Sequence, residues 1–226
     1  MPEERRFYGR RKGRPLRKGQ QHLIDTLLPR LAIELPASGK LDPRALFPNQ
    51  PTQLWLEIGF GGGEHLAEQA RTHPDVGLIG CEVFLNGIAT LVGQVSALGL
   101  SNVRVYPEDA RDLLETLPDG SLDRLFLLFP DPWPKRRHAE RRFIQPASLD
   151  LLARLMRRGA EFRVASDDPT YIAWALAHLV RHPAFAWTAK GPGDWRARSP
   201  DWPGTRYESK ALREGRQPVF LRFIRR

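Results

Sequence analysis

Leu54-Trp55-Leu56-Glu57-Ile58-Gly59-Phe60-Gly61-Gly62-Gly63-Glu64 decides the fold. The first five residues are an apolar run of strand length, and the four glycines that follow are interrupted only by Phe60. A helical pattern begins near His65 and runs to Arg71. Strand, glycine turn and helix in succession are the opening of a nucleotide-type α/β unit, in which glycine lets a ligand approach the backbone. A dinucleotide turn would carry a further glycine at the place of Glu64. A carboxylate there repels the pyrophosphate that such turns hold at a helix N-terminus. A nicotinamide oxidoreductase is therefore excluded, and the ligand expected is one without phosphate.

The same alternation continues outward. Strands are predicted at 76–81, 103–105, 122–129 and 161–165, and helices at 85–98, 110–116, 146–157 and 170–179. Closing strands are expected at 184–188 and 219–224. The pattern predicts an α/β, Rossmann-like, mostly parallel doubly wound sheet with helices on both faces. Residues 1–50 read as an appendage: a basic arm, a short amphipathic helix over 22–35 and a proline-punctuated linker over 36–51. Residues 51–226 read as the main domain.

In such sheets ligands bind outside the carboxyl ends of the strands. The fourth strand ends in Phe129-Pro130-Asp131-Pro132-Trp133-Pro134-Lys135-Arg136-Arg137-His138. Prolines at alternate positions fix φ and remove donors, so neither helix nor sheet continues through them. The result is a stiff loop with one carboxylate, one large aromatic and a run of cations. Glu82 ends the second strand, where an acid can accept both hydroxyls of a ribose. Asp109 follows the third, where its carboxylate or the adjacent backbone can meet an adenine amino group.

Net charge is +9, and residues 1–20 hold eight Lys/Arg against Glu3 and Glu4. With its glycines and few apolar residues, this stretch reads as a mobile basic arm that attracts polyanions. The single Cys81 excludes an intramolecular disulfide framework, and no Cys/His group has zinc spacing. The sequence shows no signal-peptide h-region and no stretch apolar enough to span a bilayer, so a cytoplasmic protein is expected. No Ser or Cys pairs with a His in a nucleophilic pattern.

The acidic-x-Gly-x-Gly-x-Gly pattern resembles the S-adenosylmethionine loop of class I methyltransferases. Leu56-Glu57-Ile58-Gly59-Phe60-Gly61, Gly80-Cys81-Glu82, Phe129-Pro130-Asp131-Pro132-Trp133-Pro134-Lys135, Ser166-Asp167 with Tyr171, and Thr205-Arg206-Tyr207-Glu208 together resemble the tRNA (guanine-N7-)-methyltransferase family. The resemblance implies methyl transfer from S-adenosylmethionine to N7 of guanine 46 in the tRNA variable loop. It implies a cofactor pocket formed by Glu57, Gly59, Gly61, Glu82, Asp109, Ala110 and Asp131, with Asp131 also the catalytic residue. Lys135, Arg136, Arg137, Arg141, Arg142, Asp167, Thr205, Arg206, Tyr207 and Glu208 are implied as tRNA contacts. No metal, no membrane and no obligatory helper subunit are implied, and the chain is expected as a monomer or homodimer. Ser166 stands where the family more often has Thr, and Asp168 puts a second acid beside Asp167.

Two other readings compete: a methyltransferase acting at another RNA position, and a catalytically silent RNA-binding protein on the same fold. The set Glu57, Glu82 and Asp131 argues against the second, since a binder has no need of it.

Overall fold

The computed structural model describes residues 9–226. Arg5 and Arg6 of the basic arm lie outside the described residues. Two short helices come first, α1 (Lys18–Thr26) and α2 (Leu28–Leu31). The α/β alternation follows as β1 (Gln53–Ile58), α3 (Glu64–Thr72), β2 (Val76–Cys81), α4 (Leu85–Leu98), β3 (Val103–Tyr106), α5 (Ala110–Thr116) and β4 (Leu122–Leu128). Arg136–Arg141 forms a 3-10 turn. Then come α6 (Pro146–Leu155), β5 (Met156–Ser166), α7 (Pro169–Leu179), β6 (Phe185–Trp187), α8 (Gly193–Arg196), α9 (Arg206–Arg213) and β7 (Val219–Arg225).

The strands form one sheet in the order β3-β2-β1-β4-β5-β7-β6. The first five run parallel, and β7 is antiparallel to both β5 and β6. Side chains alternate between two apolar cores, as period-2 geometry requires. Leu54, Leu56 and Ile58 of β1, with Leu125 and Leu127 of β4, enter one core together with Leu113 of α5 and Leu149 of α6. Trp55, Phe126 and Leu128 enter the other, with Leu66 of α3 and Leu91 of α4. Burial on both faces explains why these strands read as continuous apolar runs rather than alternating ones. The order reverses at β1, which has β2 on one side and β4 on the other. A crevice opens at such a switch point, outside the carboxyl ends of the strands.

Three expectations are corrected by packing. The single helix over 22–35 is two helices, broken at Leu27. Pro29 in α2 has no N–H to carry the first helix onward. The chain then leaves helix so that Ile33 N–H can donate to Val105 O at 2.8 Å, at the edge of β3. Ile33 and Phe47 are buried in the same core as β1 and β4. β5 starts at Met156 rather than Glu161, because Met156 pairs with Leu122 before a register shift brings Glu161 opposite Arg124. α9 has no counterpart in the sequence reading. Its start is marked by Thr205, whose hydroxyl accepts from Glu208 N–H at 3.1 Å. Thr-x-x-Glu is a capping signature that was available in the sequence.

Candidate active site

A cavity of about 840 Å³ occupies the switch point. Ile58, Gly59 and Gly61 at the end of β1, Cys81 and Glu82 at the end of β2, Asp109 and Ala110 after β3, and Phe129, Pro130 and Asp131 after β4 line it. The carboxyl ends of four strands thus converge on one space.

The glycine turn is built from left-handed backbone: φ is +70° at Gly59, +57° at Gly61 and +77° at Gly63. An L side chain is strained at each of these positions. Glu82 fastens the turn. Its Oε2 accepts the Gly61 amide at 2.8 Å, and Oε1 accepts Val83 and Phe84 N–H at 2.9 and 3.0 Å. Burial pushes the Glu82 carboxyl above the usual carboxylate range, against the lowering effect of these three donors. Gly87 in α4 lies against the same turn, and a Cβ built on it would fall 2.1 Å from the Gly61 carbonyl oxygen. A glycine within an early helical turn costs stability relative to alanine, so its presence was a legible sign of close approach.

Asp109 caps α5 by accepting from Arg111 N–H at 3.0 Å and grips the Arg111 guanidinium down to 2.5 Å. Its carboxylate therefore has local work, and Asp109 and Ala110 together present the end of β3 to the cavity. Cys81 is buried in the wall, and its thiol is pushed upward by that burial and by Asp109 and Glu82. It has no reactive thiolate character.

Glu57 is placed differently from expectation. It is 2% exposed, and its Oε2 lies 2.7 Å from His65 Nδ1 on α3, beneath the turn rather than on the cavity wall. The pair is sealed by Phe126, whose ring meets that of His65 edge-on at 4.6 Å. Glu57 thus supports the glycine turn from below.

The proline loop delivers Asp131, which is exposed on the cavity wall. Phe129 and Trp133 flank it with left-handed backbone, φ +50° and +43°. Aromatic residues pay for that geometry only where their surroundings enforce it. Phe129 N–H donates to Ala165 O at 2.7 Å. Arg142 locks the far side, donating to Pro132 O at 3.0 Å and Trp133 O at 2.9 Å and lying over the Trp174 ring. At 5% exposure its cation is engaged in holding the loop. Arg141 stacks over Trp133 and reaches the cavity wall. Lys135, Arg136 and Arg137 are exposed.

The segment Thr205 to Glu208 folds back onto the cavity. Arg206 pairs with Glu64, and Tyr207 lies against Gly61 and near-parallel to Phe129. Thr205 is a buried cap and Glu208 pairs with Arg198 at 2.8 Å, so these two shape the segment. Asp167 stands apart from the main cavity. It pairs with Arg216 at 2.6 Å in a separate depression floored by Ile172, Ala173, Leu176 and Val219.

The arm expected to be mobile is docked where it is described. Leu85 N–H donates to Arg11 O at 2.9 Å, Gly13 N–H donates to Asn86 Oδ1 at 2.7 Å, and Arg11 pairs with Glu108 at 2.7 Å. Gly9 and Arg10 reach the cavity wall.

The wall fits S-adenosylmethionine. Acids end β2, β3 and β4, the glycine turn admits a ligand to its backbone, and Glu64 stands where a pyrophosphate turn would need neutral backbone. Among the described residues no group of three or more His, Cys, Asp or Glu could hold a metal.

Residues 51–221 match the family model described as "Putative methyltransferase". A tRNA (guanine-N(7)-)-methyltransferase of Rhodospirillum rubrum is 60% identical, over 99% of this chain and 89% of its own. The chain belongs to the tRNA (guanine-N(7)-)-methyltransferase family. The Paramagnetospirillum magneticum member is 57% identical, over 99% of this chain and 94% of its own. The Agrobacterium fabrum member is 49% identical over the whole of both chains. As a methyltransferase of this family the chain uses S-adenosylmethionine as methyl donor. Solved structures give the fold: the 16S rRNA methyltransferase KamB superposes with a TM-score of 0.56 at 16% identity, covering 84% of this chain and 96% of that one. TrmN from Thermus thermophilus superposes with a TM-score of 0.51 at 16% identity, covering 92% of this chain and 48% of that one.

Proposed function

We propose that this chain methylates N7 of guanine 46 in the tRNA variable loop, with Asp131 as the residue that receives the target base. The observation that carries this reading is the proline loop. It places Asp131 on the wall of the cofactor cavity and, a few residues on, the exposed cations Lys135, Arg136 and Arg137. Family membership supports the choice of base and atom.

Bound S-adenosylmethionine supplies an electrophilic methyl group on a sulfonium. Guanine N7 carries a lone pair and no proton, so the chain needs no general base at the attacking atom. What it must supply is alignment and compensation of charge, since the neutral base becomes a cation. Asp131 accepts from the N1–H and N2–H₂ edge of the guanine and stabilises the charge that develops on the ring. Holding the two reactants in line contributes up to about 7–11 kcal/mol of the barrier reduction in well-oriented cases. Glu82 would hold the ribose of the cofactor as it holds the glycine turn. Asp109 and Ala110 would face the adenine through the end of β3, and Glu57 would act from beneath through the turn. Lys135, Arg136 and Arg137 grip phosphates and set affinity rather than base choice. Arg206 and Tyr207 close over the turn, with Thr205 and Glu208 shaping that segment, and Asp167 meets the RNA outside the cavity.

In this reading residues 51–226 are the methyltransferase domain and 1–50 supply the arm, helices and linker. The activity belongs in the cytoplasm, where its tRNA is found, and one chain supplies every group named, as a monomer or a homodimer. The test is to incubate the protein with unmodified tRNA and labelled cofactor and to map N7-methylguanine by chemical cleavage. Cleavage at guanine 46 is expected. Label at another position would move the enzyme to another RNA site, and tRNA without label would leave a silent binder.

A further inference from the structure

Phe129, like Trp133, is held at the cavity in a backbone conformation that costs an aromatic residue strain. A partly buried aromatic is held at φ +50°, in the left-handed region that Gly and Asn favour, immediately before a proline. Its amide is spent on the Ala165 carbonyl at 2.7 Å, which fixes the strained geometry by pairing with the neighbouring strand. The consequence is positional: Phe129 packs against the core that holds Trp55, Phe126 and Leu128 and is also among the residues that line the cavity. There it meets Tyr207, 42% exposed, with ring centroids 6.4 Å apart and planes within 20° of parallel. Tyr207 in turn rests on the glycine turn, close enough that a Cβ on Gly61 would fall 2.7 Å from its ring.

From this geometry we infer that Phe129 and Tyr207 form the aromatic wall on which the target purine stacks while Asp131 holds its edge. This deepens the guanine-N7 reading and rests on it. Phe129 follows β4, on one side of β1. Glu82 and Asp109, the groups suited to the ribose and adenine of the cofactor, end β2 and β3 on the other side. A base drawn out of an RNA stack loses its neighbours, and an aromatic face replaces them. Phe129 is thereby assigned a substrate role that its apolar character and its place before Pro130 do not announce, and Tyr207 is given the stacking face as its mode of contact.

The test uses the full chain and two variants with the same backbone demand, Phe129→Leu and Phe129→Tyr, since neither residue favours left-handed φ more than phenylalanine does. Leucine keeps apolar bulk and loses the π face, whereas tyrosine keeps it. With tRNA and S-adenosylmethionine, Phe129→Leu is expected to lower kcat at least tenfold while the cofactor Kd stays within threefold, and Phe129→Tyr to stay within threefold of the wild type. A tRNA carrying 6-methylisoxanthopterin at the target position, a fluorescent guanine analogue that keeps the N–H and NH₂ edge Asp131 would hold, gives a readout independent of turnover. Its fluorescence should be quenched by wild type and by Phe129→Tyr, and much less by Phe129→Leu. If Phe129→Leu turns over within twofold of wild type, or quenches equally, the stacking assignment is overturned. Equal loss in both variants, or a cofactor Kd that weakens in step, would overturn it too, leaving Phe129 as packing. Should the Leu variant not fold, Tyr207→Leu and Tyr207→Phe at the more exposed ring are read by the same criteria. A wild type that quenches the analogue yet yields no N7-methylguanine in tRNA with guanine at that position would refute the N7 reading and leave the stacking surface standing.

Discussion

The Glu82 carboxylate accepts the Gly61 amide at 2.8 Å, so the end of β2 grips the turn that follows β1. The residue that would hold the cofactor ribose is thus the residue that shapes the cofactor turn. Any change at Glu82 acts on both.

This coupling carries a pH dependence. Burial raises the Glu82 carboxyl above its ordinary value. Between the two values the folded chain keeps a proton that the unfolded chain has released. Its contribution to stability is therefore full in acid and is lost as pH rises through the raised value. Cofactor binding has the opposite sign, because the ionised carboxylate is the better acceptor for ribose hydroxyls. Calorimetric titration with S-adenosylmethionine should show affinity falling as pH drops from neutral, at a higher pH than an ordinary glutamate would give. In Glu82→Gln this pH dependence should vanish and the Kd should weaken about tenfold or more, the cost of a charge-assisted hydrogen bond.

Asp131 is exposed at the cavity, and the proposed role puts its contribution in the reaction rather than in the fold. Asp131→Asn keeps the shape and removes the charge. Turnover is expected to fall by about 100-fold, in the range for losing one electrostatic stabiliser. Thermal stability and cofactor Kd should change little. Nearly full turnover at saturating substrate would end the assignment.

The cations that follow divide by burial. Arg142→Ala strips two carbonyls of their donor beneath the proline loop and should cost about 2 kcal/mol of stability, seen in thermal or denaturant unfolding. The salt dependence of tRNA binding should keep its slope. Neutralising exposed Arg136 and Arg137 should do the reverse, raising the tRNA KM and flattening the salt slope with unfolding unchanged.

Gly87→Ala tests the turn from α4. The added Cβ would meet a backbone oxygen 2.1 Å away, and neither element can yield freely. A loss of about 1–3 kcal/mol is expected from overpacking, with weakened cofactor binding as Gly61 is displaced. Gly93→Ala in the same helix, where a Cβ meets nothing within 4 Å, should bind cofactor as the wild type does.

The sequence by itself determined the alternating architecture, because hydrophobic periodicity and glycine turns act over a few residues. It also placed Glu82, Asp109 and Asp131 at strand ends, and parallel pairing then brings strand ends together whatever the details of packing. The tertiary structure decided what each side chain faces. Glu57 looks to the cavity in sequence but turns beneath it to His65, because β1 alternates sides and α3 supplies a buried partner. Arg142 reads like its cationic neighbours but is buried, because the loop carbonyls of Pro132 and Trp133 need its donors. The docking of Arg11 on Glu108 and of Gly13 on Asn86, and of Tyr207 on Gly61 and Phe129, joins residues far apart in the chain. Such contacts depend on the path of the whole fold, which no local pattern records.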